Sequence, residues 1–278
     1  MTENQPTATP HGTNFVGAPP SDQLALTGER TVPGIPAENY WFRRHEVAYE
    51  YILDAVADRD VLEAGSGEGY GASMLATRAK TVTCVDYDEQ AVAHTSRVYP
   101  ELTVQQGNLI DLPLADGSVD VVVNFQVIEH LWDQSAFVAE CHRVLRPGGF
   151  LLMSTPNRVT FSPGRDTPLN PFHTRELNAA ELTELLAEVP GTTGFDVTGM
   201  AGVYHGTSLE ALDAKWGGSI IDAQIERALA GDPWPDELTS DVAAVTTADF
   251  AIRSAKKADI DASLDLLAVA VRRPDPAD

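Results

Sequence analysis

Residues 61–71 read Val-Leu-Glu-Ala-Gly-Ser-Gly-Glu-Gly-Tyr-Gly and decide the fold of this chain. A short apolar run is followed by glycines at alternate positions, beginning with Gly65, Gly67 and Gly69. A strand that turns sharply into a helix needs glycine, because the backbone there adopts conformations that a β-carbon forbids and approaches its ligand closely. The stretch therefore predicts a strand, a nucleotide-binding turn and a helix.

Strand-like and helix-like segments alternate around this stretch, which predicts an α/β fold with a mostly parallel sheet covered on both faces. The predicted strands are Asp60–Ala64, Thr81–Val85, Leu102–Gln105, Val119–Phe125, Phe150–Ser154, Phe195–Met200 and Leu264–Val271. The predicted helices include Tyr40–Ala57, Tyr70–Arg78, Glu89–Val98, Ser135–Leu145 and Ala179–Ala187. We expect a flexible tail over residues 1–25, one domain over 26–278, and a helical cap inserted at about 204–260.

Two carboxylates near the glycines distinguish between cofactors. Asp86 ends the second strand, where a carboxylate can accept hydrogen bonds from both ribose hydroxyls. Nicotinamide enzymes usually show Gly-x-Gly-x-x-Gly and place a pyrophosphate at the helix N-terminus, beside which the acidic Glu63 would be unfavourable. An acid at that position suits the positive charge of S-adenosylmethionine, which is the cofactor we predict. A glycine-rich turn that binds nothing is the structural alternative.

The charge balance restricts the partners. The chain has 41 acidic and 19 basic residues and a formal net charge of -22. Such a surface repels phosphate backbones and anionic lipid, so we expect no nucleic-acid partner and favour a neutral acceptor. The sequence shows no secretory signal pattern, no apolar stretch near the ~20 residues of a membrane span, and two cysteines that fit reduced core thiols. These features predict a cytoplasmic protein, as a monomer or an oligomer.

Residues 107–123 and 143–150 (Arg-Val-Leu-Arg-Pro-Gly-Gly-Phe) resemble the class I S-adenosylmethionine-dependent methyltransferases. The resemblance covers about residues 60–160. It implies a Rossmann-like fold with a seven-stranded, mostly parallel sheet whose last strand is antiparallel. It also implies that the turn after the third strand contacts the adenine, although Asn108 stands where an acid is usual. The predicted cofactor-binding residues are Glu63, Gly65, Gly67, Gly69, Asp86, Tyr87, Asn108, Leu109, Asn124 and Gln126.

We expect methyl transfer beyond the fourth strand, where Glu129 and His130 follow. A hydroxyl is a poor nucleophile, so a base that removes its proton during attack is useful. His130 is the first candidate, with an unperturbed pKa near about 6.5. His173, in a later polar loop, is predicted as a base, a metal ligand or a substrate clamp. Either histidine can instead be structural, capping a helix or bonding a backbone carbonyl.

The spacing Gln126-x-x-Glu129-His130 is similar to the Glu-x-x-Glu-His pattern of ubiquinone-pathway and plant small-RNA O-methyltransferases. That similarity implies a divalent ion, such as Mg²⁺, that orients the acceptor hydroxyls. Its ligands here would be Glu129, His130 and His173. Gln126 replaces the first acid and is a weaker, neutral ligand for a hard cation, which leaves metal dependence open.

The segment Tyr40-Trp41-Phe42 places three aromatic residues in succession, so on a helix they cannot all face the core. At least one of them is expected to cover the cofactor or to offer a flat face to a sugar ring, with packing at the helix start as the alternative. The predicted substrate-binding residues are Tyr40, Trp41, Arg44, Asn157 and Arg158.

A closer resemblance runs over about residues 25–272. Residues 27–31, 38–45, 161–168, 217–225 and 242–250 are similar to mycobacterial methyltransferases associated with 6-O-methylglucose lipopolysaccharide. This implies methyl transfer to the 6-hydroxyl of glucose units in a neutral α-glucan. The alternatives are another glycan, a quinone or phenol acceptor, and a non-catalytic cofactor-binding partner; a nicotinamide oxidoreductase is more distant. A phenol acceptor predicts a narrow apolar pocket, whereas a glycan predicts an open groove.

Overall fold

The computed structural model describes Leu24 and residues 30–231 and 233–274. Apart from Leu24, the predicted tail over residues 1–25 lies outside the described residues. The strands are β1 (Asp60–Ala64), β2 (Thr81–Asp86), β3 (Thr103–Gln106), β4 (Val119–Phe125), β5 (Leu145–Pro156), β6 (Phe195–His205), β7 (Phe250–Ser254) and β8 (Asp265–Arg272). The α-helices are α1 (Asn39–Ile52), α2 (Tyr70–Ala76), α3 (Glu89–Val98), α4 (Gln134–Val144), α5 (Arg158–Phe161), α6 (Ala179–Ala187), α7 (Thr207–Lys215), α8 (Ile220–Ala230) and α9 (Asp236–Ala244).

All eight strands form one sheet in the order β3-β2-β1-β4-β5-β8-β6-β7. The first five strands pair in parallel, while β8 runs antiparallel to both β5 and β6. This arrangement confirms the predicted Rossmann-like fold with an antiparallel last strand.

The sheet has one strand more than the seven that were expected. Strand β7 lies within the segment predicted as a helical cap and pairs antiparallel with residues Ala201–His205 of β6. Those residues extend β6 beyond its predicted end at Met200. A strand of only five residues between helices carries too little alternation to be distinguished from helical patterning.

The central strands are apolar because helices cover both faces of the sheet. In β4 the residues Val121, Val122 and Val123 are all fully buried, and β1 contributes Val61 and Leu62. Side-chain caps begin several of the covering helices: the carboxylates of Asp88 and Asp133 and the amide of Asn178 accept backbone N–H groups. The packed core therefore fixes the ends of two strands: β1, which is followed by the glycine loop, and β4, which is followed by Glu129 and His130.

Helices α7, α8 and α9 form the cap beside β6 and β7. Their apolar residues Leu209, Ile220 and Leu238 are fully buried in one cluster with Tyr40 of α1. The amide of Asn39 donates to three carbonyls at the end of α9 and beyond, those of Val242, Ala243 and Val245. The cap is thereby joined to the start of α1. Within the described residues, no helix is long and apolar enough to cross a membrane.

Candidate functional site

A cavity of about 380 Å³ opens at the carboxyl ends of β1, β2, β3 and β4. Residues from the glycine loop form one side of it, and Gly65, Gly67 and Gly69 have φ values of +85°, +52° and +94°. A β-carbon at Gly65 would lie 2.7 Å from both methyl groups of Val127. Only glycine allows the loop to take this path. Of the predicted cofactor-binding residues, those that line the cavity are Gly65, Gly67, Asp86, Tyr87, Asn108, Leu109 and Gln126.

The loop itself holds Asp86 in the cavity wall. One carboxylate oxygen accepts the backbone N–H of Gly67 at 2.7 Å, and the other accepts that of Asp88 at 2.9 Å. Arg30, also in the wall, pairs with Asp88 at 2.6 Å. The carboxylate that was predicted to bind ribose hydroxyls is therefore positioned by main-chain groups rather than by a flexible side chain.

Three predicted cofactor contacts, Glu63, Gly69 and Asn124, do not line the cavity and need correction. Gly69 instead precedes α2 as its N-cap residue. Glu63 and Asn124 do not line the cavity, because they lie on the central strands and point into the core behind the loop. Glu63 accepts a hydrogen bond of 2.7 Å from the Tyr49 hydroxyl, and burial raises its pKa to about 8. The amide of Asn124 donates to the Ala64 carbonyl at 2.8 Å. These two residues support the loop instead of contacting its ligand.

A second cavity of about 320 Å³ adjoins the first. Five residues line both: Arg30, Thr31, His45, Gln126 and His130. Most of the surface that lines the second cavity is apolar, and its contributors include Trp41, Phe161, Leu169, Pro171, Phe172 and Ile225. Its polar groups include Glu38, Glu129 and His173. A group transferred from one cavity to the other would pass the shared residues.

The structure brings Glu129, His130 and His173 together, with one ligating atom of each within 4.8 Å of the others. Glu129 and His130 lie in a 3-10 turn directly after β4. The His130 Nδ1 atom lies 3.0 Å from the Phe172 carbonyl oxygen. A carbonyl only accepts, so Nδ1 carries the proton and the Nε2 lone pair remains available.

His130 is less basic than was expected from its sequence. Burial, together with the neighbouring His173, lowers the pKa of His130 to about 4 rather than leaving it near the unperturbed value. Burial raises the pKa of Glu129 to about 8, and one Glu129 oxygen accepts the Thr155 hydroxyl at 3.0 Å. At neutral pH the imidazole is therefore uncharged.

His173 is held by two partners. Its Nδ1 atom donates to Glu176 at 2.6 Å, and its Nε2 atom accepts from the Asn170 amide nitrogen at 3.1 Å. The orientation of that amide follows from its oxygen, which accepts the Phe172 N–H at 3.0 Å. Like His130, His173 thus presents Nε2 as an acceptor.

Of the predicted substrate-binding residues, Trp41 lines the second cavity directly. Arg44 borders it, but its guanidinium is committed to Asp265 through two contacts of 2.6 Å. Tyr40 is a correction: it is fully buried in the cap, where its hydroxyl lies 2.7 Å from His205 Nε2. Within the segment Tyr40-Trp41-Phe42, Trp41 is therefore the residue that lines the cavity.

Asn157 and Arg158 are further corrections, since neither lines the two cavities. The amide of Asn157 donates to the carbonyls of Ile260, Asp261 and Ser263 and holds the chain before β8. Arg158 forms an ion pair of 2.8 Å with Glu181 at the start of α6. Both side chains are therefore engaged by partners outside the two cavities.

Sequence reasoning gave no specific role to His45, Arg30, Thr31 or Glu38, which the fold places at the cavities. The Nδ1 atom of His45 lies 3.4 Å from the Thr31 hydroxyl oxygen, and burial lowers the pKa of His45 to about 4. The only local signal was their position in and beside the aromatic segment at the start of α1. They converge because residues 30–31 pack beside the start of α1, as the contact between Thr31 and His45 shows.

Comparison with known proteins gives consistent results. A family model described as "Methyltransferase domain" matches residues 62–153. Two mycobacterial relatives are each named a probable S-adenosylmethionine-dependent methyltransferase. The one from Mycolicibacterium smegmatis is 64% identical over 249 residues, which are 90% of this chain and 95% of that protein. The one from Mycobacterium tuberculosis H37Rv is 63% identical over 250 residues, 90% of each chain.

More distant matches cover less sequence or show the fold alone. A ubiquinone biosynthesis O-methyltransferase from Pseudomonas syringae pv. tomato is 33% identical over 108 residues, 37% of this chain and 47% of that protein. The crystal structure of a SAM-dependent methyltransferase from Thermotoga maritima superposes with a TM-score of 0.56 at 17% identity, covering 84% of this chain and 93% of that one.

Proposed function

The chain belongs to the class I S-adenosylmethionine-dependent methyltransferases, and from this premise we propose that it methylates a sugar hydroxyl, the 6-hydroxyl of glucose units in an α-glucan. The observation that carries the proposal is the shared wall of the two cavities, where His130 lies between the cofactor loop and the apolar second cavity. We assign the first cavity to the cofactor and name the second the acceptor cavity.

The residues of the first cavity fit S-adenosylmethionine. Its volume of about 380 Å³ suits a ligand of this class, and its wall includes the carboxylates of Glu68, Asp86 and Asp88 but only one cation, Arg30, which is already paired. This charge distribution favours a cationic ligand over a pyrophosphate. When bound, S-adenosylmethionine supplies an electrophilic methyl group on a positively charged sulfur.

The protein's own contribution to the transfer is centred on His130. Its Nδ1–H group donates to the Phe172 carbonyl, which fixes the ring and directs the Nε2 lone pair to the acceptor hydroxyl. Nε2 accepts a hydrogen bond from that hydroxyl and takes up its proton once the new bond from the oxygen is largely formed. A pKa of about 4 makes His130 a weak base but keeps it unprotonated at neutral pH. Its main contribution is therefore orientation of the hydroxyl, with proton acceptance late in the reaction.

Two properties of the chain support a sugar acceptor. Trp41 and Phe161 offer apolar faces in the acceptor cavity, against which the C–H face of a sugar ring can pack. The net charge of -22 is compatible with a neutral carbohydrate and unfavourable for a nucleic acid. The same apolar walls also favour the second candidate, a phenol or quinone acceptor, in agreement with the similarity to the ubiquinone biosynthesis enzyme.

Metal assistance is a second candidate mechanism, favoured by the histidine hydrogen bonds. His130 and His173 each donate Nδ1–H to a fixed acceptor and direct Nε2 toward the same region, as metal-binding histidines do. Glu129 would complete a three-residue set for Mg²⁺, provided that His173 releases Asn170. The test is activity after treatment with EDTA: loss restored by Mg²⁺ supports a metal, and full activity in EDTA removes this candidate.

The acceptor is tested by offering labelled S-adenosylmethionine with α-glucan oligomers, mannan oligomers, a quinone and a phenol. We expect label in the glucan, and mass spectrometry of the product should place the methyl group on a 6-hydroxyl. Label found only in a non-carbohydrate product would overturn the sugar assignment. Cofactor binding without turnover on any acceptor would favour the non-catalytic partner.

A further inference from the structure

Glu38 occupies an unusual position in the acceptor cavity. It ends the 3-10 turn Pro36–Glu38 immediately before α1, and its side chain lines the acceptor cavity but not the cofactor cavity. Its carboxylate makes no hydrogen bond or ion pair with any residue that the structure describes. Glu129, the other carboxylate of this cavity, has the Thr155 hydroxyl as a partner.

Among the residues that the structure describes, no neighbouring charge compensates Glu38. The two arginines of the acceptor cavity have their own carboxylates: Arg30 pairs with Asp88, and Arg44 is clamped by Asp265. Burial alone raises the pKa of Glu38 to about 7. Glu38 is half-buried, so its unpartnered carboxyl group is partly desolvated, and it faces a cavity whose exposed surface is mainly apolar. A ligand that donates hydrogen bonds at this point would remove the penalty.

We propose that Glu38 binds acceptor hydroxyl groups other than the one that is methylated, and so selects a polyhydroxyl acceptor over a phenol or quinone. The two oxygens of a carboxylate can accept from two adjacent hydroxyls, and hydrogen bonds to a charged acceptor are stronger than neutral ones. Because Glu38 does not line the cofactor cavity, whereas His130 does, it contacts a part of the acceptor away from the methyl donor. The inference rests on the proposed function and names the substrate class that its acceptor cavity recognises.

The first experiment compares Glu38→Gln with Glu50→Gln, which removes an exposed carboxylate from the adjoining helix α1. For the acceptor that the wild-type enzyme methylates, we expect Glu38→Gln to raise KM about 10- to 100-fold with kcat nearly unchanged, because a charge-assisted contact becomes a neutral one. Glu50→Gln should change neither. Calorimetry should show wild-type affinity for S-adenosylhomocysteine in both variants, which also verifies folding. A loss of kcat or of S-adenosylhomocysteine affinity without a change in KM would overturn the inference.

The second experiment identifies the contact with acceptors that lack single hydroxyl groups. For one such deoxy acceptor, wild type and Glu38→Gln should have the same KM, since the hydroxyl that Glu38 binds is already missing. If Glu38→Gln raised KM by the same factor for every deoxy acceptor, the inference would be overturned.

The outcomes also distinguish failure of the glucan assignment from failure of the role of Glu38. A polyhydroxyl acceptor that is not a carbohydrate, with a raised KM in Glu38→Gln, supports the role of Glu38 and removes the glucan. If the acceptor is a phenol and Glu38→Gln leaves its KM unchanged, both the glucan assignment and the role of Glu38 are overturned.

Discussion

At the scale of single residues, the chemistry of the site depends on hydrogen bonds that sequence spacing does not reveal. His130 was a candidate base because it follows the fourth strand. Its tautomer is set by the Phe172 carbonyl, and burial, together with His173, lowers its pKa; both residues lie more than forty positions later in the chain. The neutral imidazole is thus a product of the tertiary fold.

Replacing His130 by Ala tests its place in the transfer. We expect turnover to fall about 10²-fold or more, as is usual when a group that accepts the nucleophile's proton is lost. Affinity for S-adenosylhomocysteine should stay nearly unchanged, because the glycine loop and Asp86, which also line the proposed cofactor cavity, are left intact. Steady-state kinetics and calorimetry measure the two quantities. Equal losses in both would instead indicate a structural histidine.

The pH dependence tests the lowered pKa of His130. A histidine whose pKa is lowered in the folded protein stays unprotonated until the pH approaches that value, so the base is lost only toward about pH 4. We expect kcat at saturating acceptor, to which Glu38 contributes little, to show no histidine limb between pH 5 and 7 under conditions where circular dichroism shows a folded protein. An acid limb near pH 6.5 would mean that His130 is solvated rather than desolvated.

At the scale of elements, the glycine loop joins β1 to α2 through backbone conformations that few residues adopt. Gly65→Ala should destabilise the protein by about 2 kcal/mol or more, because it combines an unfavourable positive φ with a clash against Val127. Gly67→Ala is the matched control, since its added β-carbon meets no atom within 4 Å and only φ is penalised. Urea denaturation compares the two variants, and equal losses would show that contact with Val127 is unimportant.

Helix α1 is tied to β8 by the buried pair of Arg44 and Asp265, whose side chains are only 2% and 1% exposed. Asp265→Asn should destabilise the fold by about 3–5 kcal/mol, because it leaves a buried guanidinium without its counter-charge. The half-exposed pair of Arg158 and Glu181 is the comparison: Glu181→Gln removes its charge and should cost less than about 1 kcal/mol for the ion pair. Denaturant unfolding measures the stability of both variants. Similar losses in the free energy of unfolding would contradict this view.

At the scale of the whole molecule, an excess of negative charge opposes the compact state. With a net charge of -22, the folded chain repels itself, and salt screens that repulsion. We expect the thermal unfolding midpoint to rise as NaCl increases from about 10 mM to 150 mM, with a chloride-free sodium salt as the control for specific anion binding. A falling midpoint would show that surface ion pairs outweigh the net repulsion.

The sequence by itself determined the features that are local in the chain. The glycine loop, Asp86 and the alternating strands are read from contiguous residues, because backbone conformation and periodicity depend on near neighbours. They identified the fold and the cofactor. Some errors were also local in origin, such as the missed strand β7, which is too short to show a period.

Only the tertiary structure decided which side chains meet. Glu63, Tyr40 and Arg44 were expected at the ligands, but burial directs the first two into the core and commits Arg44 to Asp265. His45 and Glu38 carried no distinctive spacing, yet α1 brings one to the shared wall and the other to the acceptor cavity. Contacts between distant segments, and the desolvation that sets the pKa values of His130 and Glu38, arise from packing of the whole chain, which no local pattern encodes.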